Sequence, residues 1–208
     1  MKQILVMTRF FGVALVLGAL SLPISAQTPE TPDAQVQRIV NEVIEIIRTD
    51  PKVQAGDVKR VRELLDDKLL PHFDFKRMTM LAMGRNWRVA SPEQQTALVE
   101  QFKTLLIRTY SGALSQYKDD KIDVKPSRAR PDDKDITVRS EVIRKGESPV
   151  SVDYSLVLGS DGQWRCYDVI VGGVSLVTNY RDDFNQQVKN GSIDGLIKTL
   201  TDKNQGGA

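Results

Sequence analysis

The chain has 208 residues with 29 basic and 27 acidic side chains, a formal net charge of +2 and a hydrophobic content of 40%. Basic and acidic residues are interspersed, which argues against the one-sided basic surface of a nucleic-acid-binding protein. The single cysteine, Cys166, excludes an internal disulfide, and together with a single histidine it leaves too few ligands for a zinc site.

The N-terminal 26 residues have the composition of a secretory signal peptide. Lys2 and Arg9 precede an apolar run over residues 10–22, and Ala26 supplies a small residue at the expected cleavage point. The run is shorter than the roughly 20 residues of a membrane-spanning helix, so we expect export with cleavage near Ala26. Residues 27–32 are predicted to form a flexible leader, residues 33–202 a single domain and residues 203–208 a flexible tail.

Two helices are predicted at the start of the domain. The first has Thr31 as its cap and Pro32 as its first residue. Its apolar face consists of Val36, Ile39, Val40, Val43 and Ile47. The second is predicted over residues 57–70 and ends at Pro71. Its inward residues are expected to be Val58, Val61, Leu64, Leu65 and Leu69.

A short helix and a long helix follow. Asp74 is the expected cap of the short helix, which carries Phe75, Met78 and Leu81 and ends at Gly84. Ser91-Pro92-Glu93-Gln94 has the pattern of a capping box and predicts the start of the long helix. The apolar stripe of the long helix consists of Leu98, Phe102, Leu105, Leu106, Tyr110, Ala113, Leu114 and Tyr117.

The apolar period then changes from helical to two, which is typical of strands. Segments 122–124, 136–142, 150–158 and 164–171 alternate or are rich in β-branched residues, and Gly146 and residues 159–162 supply turns. The pattern predicts a four-stranded antiparallel meander. Gly172 and Gly173 are expected to break the last strand. Two amphipathic helices close the chain, with apolar residues Leu176, Val177, Tyr180, Phe184 and Val188, and then Ile193, Leu196, Ile197 and Leu200.

This order of elements predicts an α+β fold in which N-terminal and C-terminal helices cover one face of a twisted antiparallel sheet. A curved sheet closed by helices forms a cone, and at the level of the fold this is similar to the nuclear-transport-factor-2-like shape. Such a cone can enclose an apolar cavity, but the same residues can also meet in a solid core. The fold alone does not distinguish an enzyme from a binding protein.

Single residues offer little catalytic chemistry. His72 lies beside Pro71 at a helix boundary, where a packing or solvated role is expected. Cys166 is expected to be a small buried apolar residue. Ser175 follows Gly173-Val174 without the second glycine of an esterase elbow, and it is expected to cap the next helix.

Two strand acids form the one enzymatic alternative. Asp153 lies beside Tyr154, and Asp168 lies beside Tyr167, so either pair could act as a general base and a hydrogen donor inside a cone. Alternation places Asp153 on the face opposite Tyr154, which favours an outward carboxylate. We therefore expect no catalytic residues and no metal ligands.

An ordered set of short motifs runs from about residue 57 to residue 200. In chain order they are Asp74-Phe75 with Met78, Gly84 with Trp87, Ser91-Pro92-Glu93-Gln94, Val152-Asp153-Tyr154, Trp164 with Tyr167-Asp168-Val169, Gly173-Val174-Ser175-Leu176, and Asn179-Tyr180-Arg181 with Phe184. The set resembles the MlaC, or toluene-tolerance, family. Two positions depart from the family pattern. Gly172 stands where an acid is common, and Cys166 stands where an aliphatic residue is usual. Both differences concern local packing only.

The resemblance implies a periplasmic carrier without a cofactor. Such a carrier passes glycerophospholipid between an inner-membrane ABC transporter with an MCE-domain protein and an outer-membrane lipoprotein complex with a porin, and so maintains outer-membrane lipid asymmetry. Residues 33–202 would then be a phospholipid-binding domain; a scaffolding module that binds the same complexes without lipid is the other alternative.

Strand parity, helix phase and family analogy together predict the lining of the lipid pocket. The predicted lining consists of Met78, Leu81, Trp87, Phe102, Leu105, Leu106, Tyr110, Val138, Val152, Tyr154, Leu156, Tyr167, Val169, Val171, Val174, Leu176 and Tyr180.

Overall fold

The computed structural model describes residues 30–115 and 120–206, without the side chains of residues 113–115. The predicted signal peptide, residues 27–29 of the predicted leader and the final part of the predicted long-helix stripe lie outside the described residues.

The first predicted helix is confirmed as α1, Pro32–Thr49, and the Thr31 hydroxyl accepts a hydrogen bond from Ala34 N at 3.4 Å. Pro32 therefore belongs to the helix rather than to the leader. A short helix that was not predicted, α2 (Pro51–Gln54), follows directly. It forms because the Asp50 carboxylate accepts from two backbone N–H groups and Pro51 is favourable at a first helical position.

The second predicted helix changes geometry along its length. It begins as α3, Val58–Leu64, continues as a π-helical turn, Leu65–Leu69, and ends as a 3₁₀ turn, Leu70–His72. The prediction that Val58 faces inward is wrong, because its side chain is 80% exposed. Val58 is the first residue after the cap Asp57, whereas the buried residues of the helix, Val61 and Leu64, lie further along and belong to the core with α1.

The helices that follow confirm the predicted caps. Asp74 caps α4, Phe75–Met83, which ends at Gly84 with a φ of +53°. A 3₁₀ turn, Gly84–Arg88, leads to α5, Pro92–Ser115. The capping box is present, because Ser91 Oγ accepts from Gln94 N at 3.2 Å and Gln94 Oε1 accepts from Ser91 N at 3.0 Å.

The chain closes with α6, Leu176–Asn190, and α7, Ile193–Gln205. Residues 203–205, predicted as flexible tail, are helical. The Asn204 side chain donates to the carbonyl of Gln101 on α5 at 2.9 Å, and this contact anchors the last turn.

The sheet has five strands in the described part of the chain rather than the four predicted. They are β1 (Lys121–Val124), β2 (Asp135–Ile143), β3 (Val150–Leu158), β4 (Trp164–Val171) and β5 (Val174–Ser175), paired antiparallel in sequence order. Gly172 and Gly173 do not end the sheet. Their φ angles of +56° and +84° suit a two-residue hairpin turn, so the chain returns to pair Val174 with Val171. The predicted α+β fold class is confirmed.

One face of the sheet carries the apolar residues, and α1 packs on it. Val138 and Leu156 lie on this inner face together with Cys166. A register shift between Ser155 and Leu156 changes the parity of β4, so that Val169 pairs with Tyr154 on the same face as Cys166. A separate core joins α4, α5, α6 and α7, and a third joins α1 to α3. The spaces between these three cores form the candidate site.

Candidate functional site

An apolar pocket, here called the α1 pocket, lies between α1 and the inner face of the sheet. Its volume is about 230 Å³. It is lined by Gln35, Val36, Ile39, Val40, Val43, Ile44, Ile47, Leu69, His72, Phe73, Ile122, Tyr154, Leu156, Trp164 and Cys166. No Lys, Arg, Asp or Glu side chain is among these lining residues, so the pocket presents no fixed full charge to a ligand.

A second apolar pocket, the α5 pocket, lies between α5, the π-helical turn and the end of β4. Its volume is about 250 Å³. It is lined by Leu65, Leu69, Leu70, Phe73, Phe75, Met78, Leu106, Ile107, Tyr110, Ser111, Val169, Val171 and Leu176. Leu69 and Phe73 line both pockets. The two pockets are therefore neighbours on one side of the sheet.

The polar groups of the α1 pocket are satisfied within the protein or kept neutral. Gln35 Nε2 donates to the carbonyl of Trp164 at 2.7 Å, and Gln35 Oε1 accepts from Trp164 N at 3.2 Å. Burial raises the pKa of Tyr154, so the phenol stays protonated at neutral pH. Burial and, to a lesser extent, the charge of Arg38 lower the pKa of His72, which favours the neutral imidazole. An apolar ligand would therefore meet no unpaired charge in this pocket.

The family model of the MlaC protein matches residues 37–202 of this chain. This range includes every lining residue of the two pockets except Gln35 and Val36 of the α1 pocket. The chain belongs to the MlaC family.

Individual relatives and a solved structure agree with this assignment. The chain is 23% identical over 193 residues to the intermembrane phospholipid transport system binding protein MlaC of Haemophilus influenzae, covering 92% of this chain and 90% of that protein. It is 27% identical over 190 residues to the toluene tolerance protein ttg2D of Pseudomonas putida, covering 91% and 86%. A phospholipid-binding protein from Ralstonia solanacearum, solved in complex with a phospholipid, is 40% identical with a TM-score of 0.76, and the match covers 83% of this chain and 96% of that one.

The structure brings only part of the sequence-predicted lining into the two pockets of this MlaC family member. Tyr154 and Leu156 line the α1 pocket. The predicted residues that line the α5 pocket are Met78, Leu106, Tyr110, Val169, Val171 and Leu176.

The other predicted lining residues lie outside both linings. Those packed in or against the core of α4 to α7 are Leu81, Trp87, Phe102, Leu105, Tyr167 and Tyr180. Val138 is fully buried between the sheet and α1. Val174 is 61% exposed on β5, and Val152 pairs with Val171 at the end of the sheet. Their separation from the pockets follows from how neighbouring elements fill space, which a residue's own periodicity does not report.

Sequence reasoning missed the contribution of the N-terminal helices to the pockets. The apolar face of α1 was identified, yet nothing in its spacing indicated that it covers a pocket rather than a solid core. The π-helical turn contributes Leu65 and Leu69, and the residues just after it contribute Leu70 and Phe73. The only local signal was the apolar run that precedes Pro71.

The acids of the enzymatic alternative have structural positions. Asp168 Oδ2 accepts from the Ser175 hydroxyl at 2.5 Å, and Asp168 Oδ1 accepts from Val177 N at 3.1 Å. Ser175 itself caps α6, as predicted, by accepting from Thr178 N at 3.0 Å. Asp153 pairs across the strands with Arg139, on the sheet face opposite Tyr154. Neither carboxylate lines a pocket.

Within residues 30–115 and 120–206, no helix combines the length and apolar character that a membrane crossing requires. No group of three or more His, Cys, Asp and Glu residues in the same ranges is arranged to hold a metal ion.

Cys166 is predicted to resist thiol reagents in the native protein. Its side chain is 5% exposed, and burial raises the pKa of the thiol from an ordinary value of 9.0 to about 12. The thiolate is the nucleophile, so at pH 8 a shift of this size lowers the reactive fraction by about a thousandfold. A disulfide reagent should label unfolded protein in urea completely and leave native protein unlabelled over the same time. Comparable labelling rates in the two states would contradict the buried position.

Proposed function

We propose that the protein is a soluble periplasmic carrier that shuttles glycerophospholipid between an inner-membrane ABC transporter complex with an MCE-domain protein and an outer-membrane lipoprotein complex with a porin. Its role would be to maintain the lipid asymmetry of the outer membrane. The observation that carries the proposal is the pair of adjoining apolar pockets. The phospholipid found in the Ralstonia solanacearum structure and the name of the Haemophilus influenzae relative support the choice of ligand.

The energetics of the ligand explain why a carrier needs such pockets. Two acyl chains hold roughly 30 methylenes, and at about 0.8 kcal/mol each their exposure to water costs on the order of 20 kcal/mol. A membrane shields the same chains equally well, so extraction by the carrier is nearly neutral in hydrophobic free energy. The direction of transport must then come from the partner complexes and from ATP hydrolysis in the transporter.

Export by the N-terminal segment completes the proposal. Cleavage near Ala26 would release residues 27–208 into the periplasm. N-terminal sequencing of the secreted protein, expressed from the full chain, measures the cleavage point directly. Retention of Met1 on the mature protein would contradict removal of this segment.

The exported protein is expected to purify with stoichiometric glycerophospholipid. Native mass spectrometry of the mature protein, followed by organic extraction, identifies what is bound. Because neither pocket lining contains a charged Lys, Arg, Asp or Glu side chain, the extracted lipid should show several headgroups and mixed acyl chains. A folded protein without lipid would instead support the scaffolding alternative, and a single headgroup from a mixed membrane would contradict weak headgroup selectivity.

Shuttling requires a second experiment. Lipid-free protein is incubated with inner-membrane vesicles from a strain with the transporter complex and from a matched strain without it. Faster loading in the presence of the complex supports the shuttle. Equal loading from both membranes would contradict the shuttle, because it would show that the protein binds lipid without exchanging it with the transporter complex.

A further inference from the structure

The two apolar pockets are separated by a divider made of Leu69 and Phe73. These are the two residues common to both linings. Phe73 also packs against two cores, the one between α1 and the sheet and the one that joins α4 to α7. The divider is therefore part of the framework rather than a side chain that lies loosely within one cavity.

The backbone holds the divider against β4. Asp74 N donates to the carbonyl of Cys166 at 2.8 Å, and Phe73 forms an isolated parallel bridge with Cys166. On its other side, the Phe73 ring stacks on Phe75 with 5.7 Å between ring centroids. Leu69 is the last residue of the π-helical turn, a rare geometry that occurs frequently at functional sites.

The volumes argue against two chains in one pocket. Small-molecule sites usually have volumes of roughly 300–1,000 Å³, and neither the α1 pocket at about 230 Å³ nor the α5 pocket at about 250 Å³ reaches that range alone. The α1 pocket is also long and narrow. Its lining on α1 runs from Gln35 to Ile47, a distance of about 18 Å at 1.5 Å per residue.

Both pockets reach the same end of the sheet. Ile122 lines the α1 pocket and Val171 lines the α5 pocket. In the sheet register Ile122 pairs with Val142, whereas Val171 pairs with Val152, whose partner on β2 is Ser140. Val142 and Ser140 are two residues apart on β2, so Ile122 and Val171 belong to adjacent rows at the same end of the sheet. Val171 is 45% exposed, as is usual for a residue at a pocket mouth.

We infer that the two pockets are separate subsites for the two acyl chains of one lipid, one chain on each side of the Leu69 and Phe73 divider. The glycerol backbone lies at the sheet end marked by Ile122 and Val171, where both pockets open. This inference rests on the proposed function, because it takes the ligand to be a two-chain lipid. It adds that a single-chain lipid fills only one subsite at a time.

Stoichiometry tests the inference on the unaltered protein. Delipidated protein is titrated with dipalmitoyl phosphatidylethanolamine and, separately, with palmitoyl lysophosphatidylethanolamine, and the complexes are counted by native mass spectrometry. We expect saturation at one diacyl lipid but at two lysolipids. Saturation at one lysolipid would overturn the two-subsite arrangement. Binding of neither lipid would overturn the proposed function instead.

Two variants block one subsite each. Val40→Trp adds bulk to the α1 pocket and Ser111→Trp adds bulk to the α5 pocket, both at half-buried lining positions. Each should weaken diacyl binding at least about tenfold and reduce the lysolipid count from two to one. Val89→Trp, at a 75% exposed position outside both linings, is the matched control and should change neither.

The variants separate the remaining explanations. Unchanged diacyl affinity in either blocked variant would show that its pocket holds no chain, and loss of both lysolipids from one variant would show a single shared site. Urea unfolding identifies a variant that does not fold. The lysolipid count of the unaltered protein decides the inference in that case.

Discussion

Phe102→Ala is expected to lower the free energy of unfolding by about 3–5 kcal/mol, the range for truncating a fully buried phenylalanine. Phe102 has no exposed surface and lies at the centre of the core of α4 to α7. Its ring meets Tyr180 and Phe184 edge to face, with centroid distances of 5.0 and 5.1 Å. Truncation leaves a cavity that these two rings cannot close. Urea unfolding followed by fluorescence and circular dichroism measures the change.

The same variant tests whether Phe102 belongs to the core rather than to a pocket. At a temperature where it remains folded, Phe102→Ala should retain the lipid content of the unaltered protein. Val89→Ala, at a 75% exposed position, is the control and should change stability by no more than about 0.5 kcal/mol. A decrease in the free energy of unfolding below about 1 kcal/mol would contradict the core position of Phe102. Selective loss of lipid from a stable variant would show that Phe102 lines a pocket.

Gln35→Ala is expected to lower the free energy of unfolding by about 2–6 kcal/mol, because it removes the hydrogen-bond partners of two buried backbone groups at about 1–3 kcal/mol each. The Gln35 amide both donates to and accepts from the backbone of Trp164, and Gln35 is only 7% exposed. This contact holds α1 against the start of β4 and so closes one end of the α1 pocket. Urea unfolding measures the change in stability. Hydrogen exchange at the backbone N–H of Trp164 measures how often α1 moves away from β4.

Gln37→Ala provides a matched control on the same helix. The Gln37 amide donates to Asn41 within α1 at 2.9 Å, so its removal should cost no more than about 0.5 kcal/mol. Equal effects of the two substitutions would show that the contact between Gln35 and Trp164 does not hold α1 in place. Faster exchange at Trp164 in Gln35→Ala alone would locate the loss at the pocket wall.

The helix starts could be predicted from sequence because a cap acts over three residues. Thr31, Asp74 and Ser91 each accept from a backbone N–H of their own helix, as their positions before apolar periodic segments indicated. The two longest strands, β2 and β3, were likewise predicted from a period of two. These features depend on neighbours in the chain, so the sequence contains most of the information that determines them.

The errors occurred where a distant contact decides the structure. Asn204 extends the last helix by reaching Gln101, about a hundred positions earlier. Gly172 and Gly173 were expected to break the last strand, but pairing with β4 makes the residues that follow them a further strand. The register shift in β4 likewise depends on β3, and it was not predicted, although Val169 and Val171 were correctly expected to line a pocket.

The sequence by itself determined the α+β class, the order of the longer helices and strands, the principal caps and most of the apolar face of each long helix, because these follow from local hydrogen bonding and side-chain period. Only the tertiary structure decided which part of an apolar face meets a filled core and which part meets an open pocket. On α5, Phe102 lies in the core while Tyr110, on the same stripe, lines a pocket and is 41% exposed. The period of a helix specifies the direction of its side chains, whereas the volume left beside them depends on elements far away in the chain.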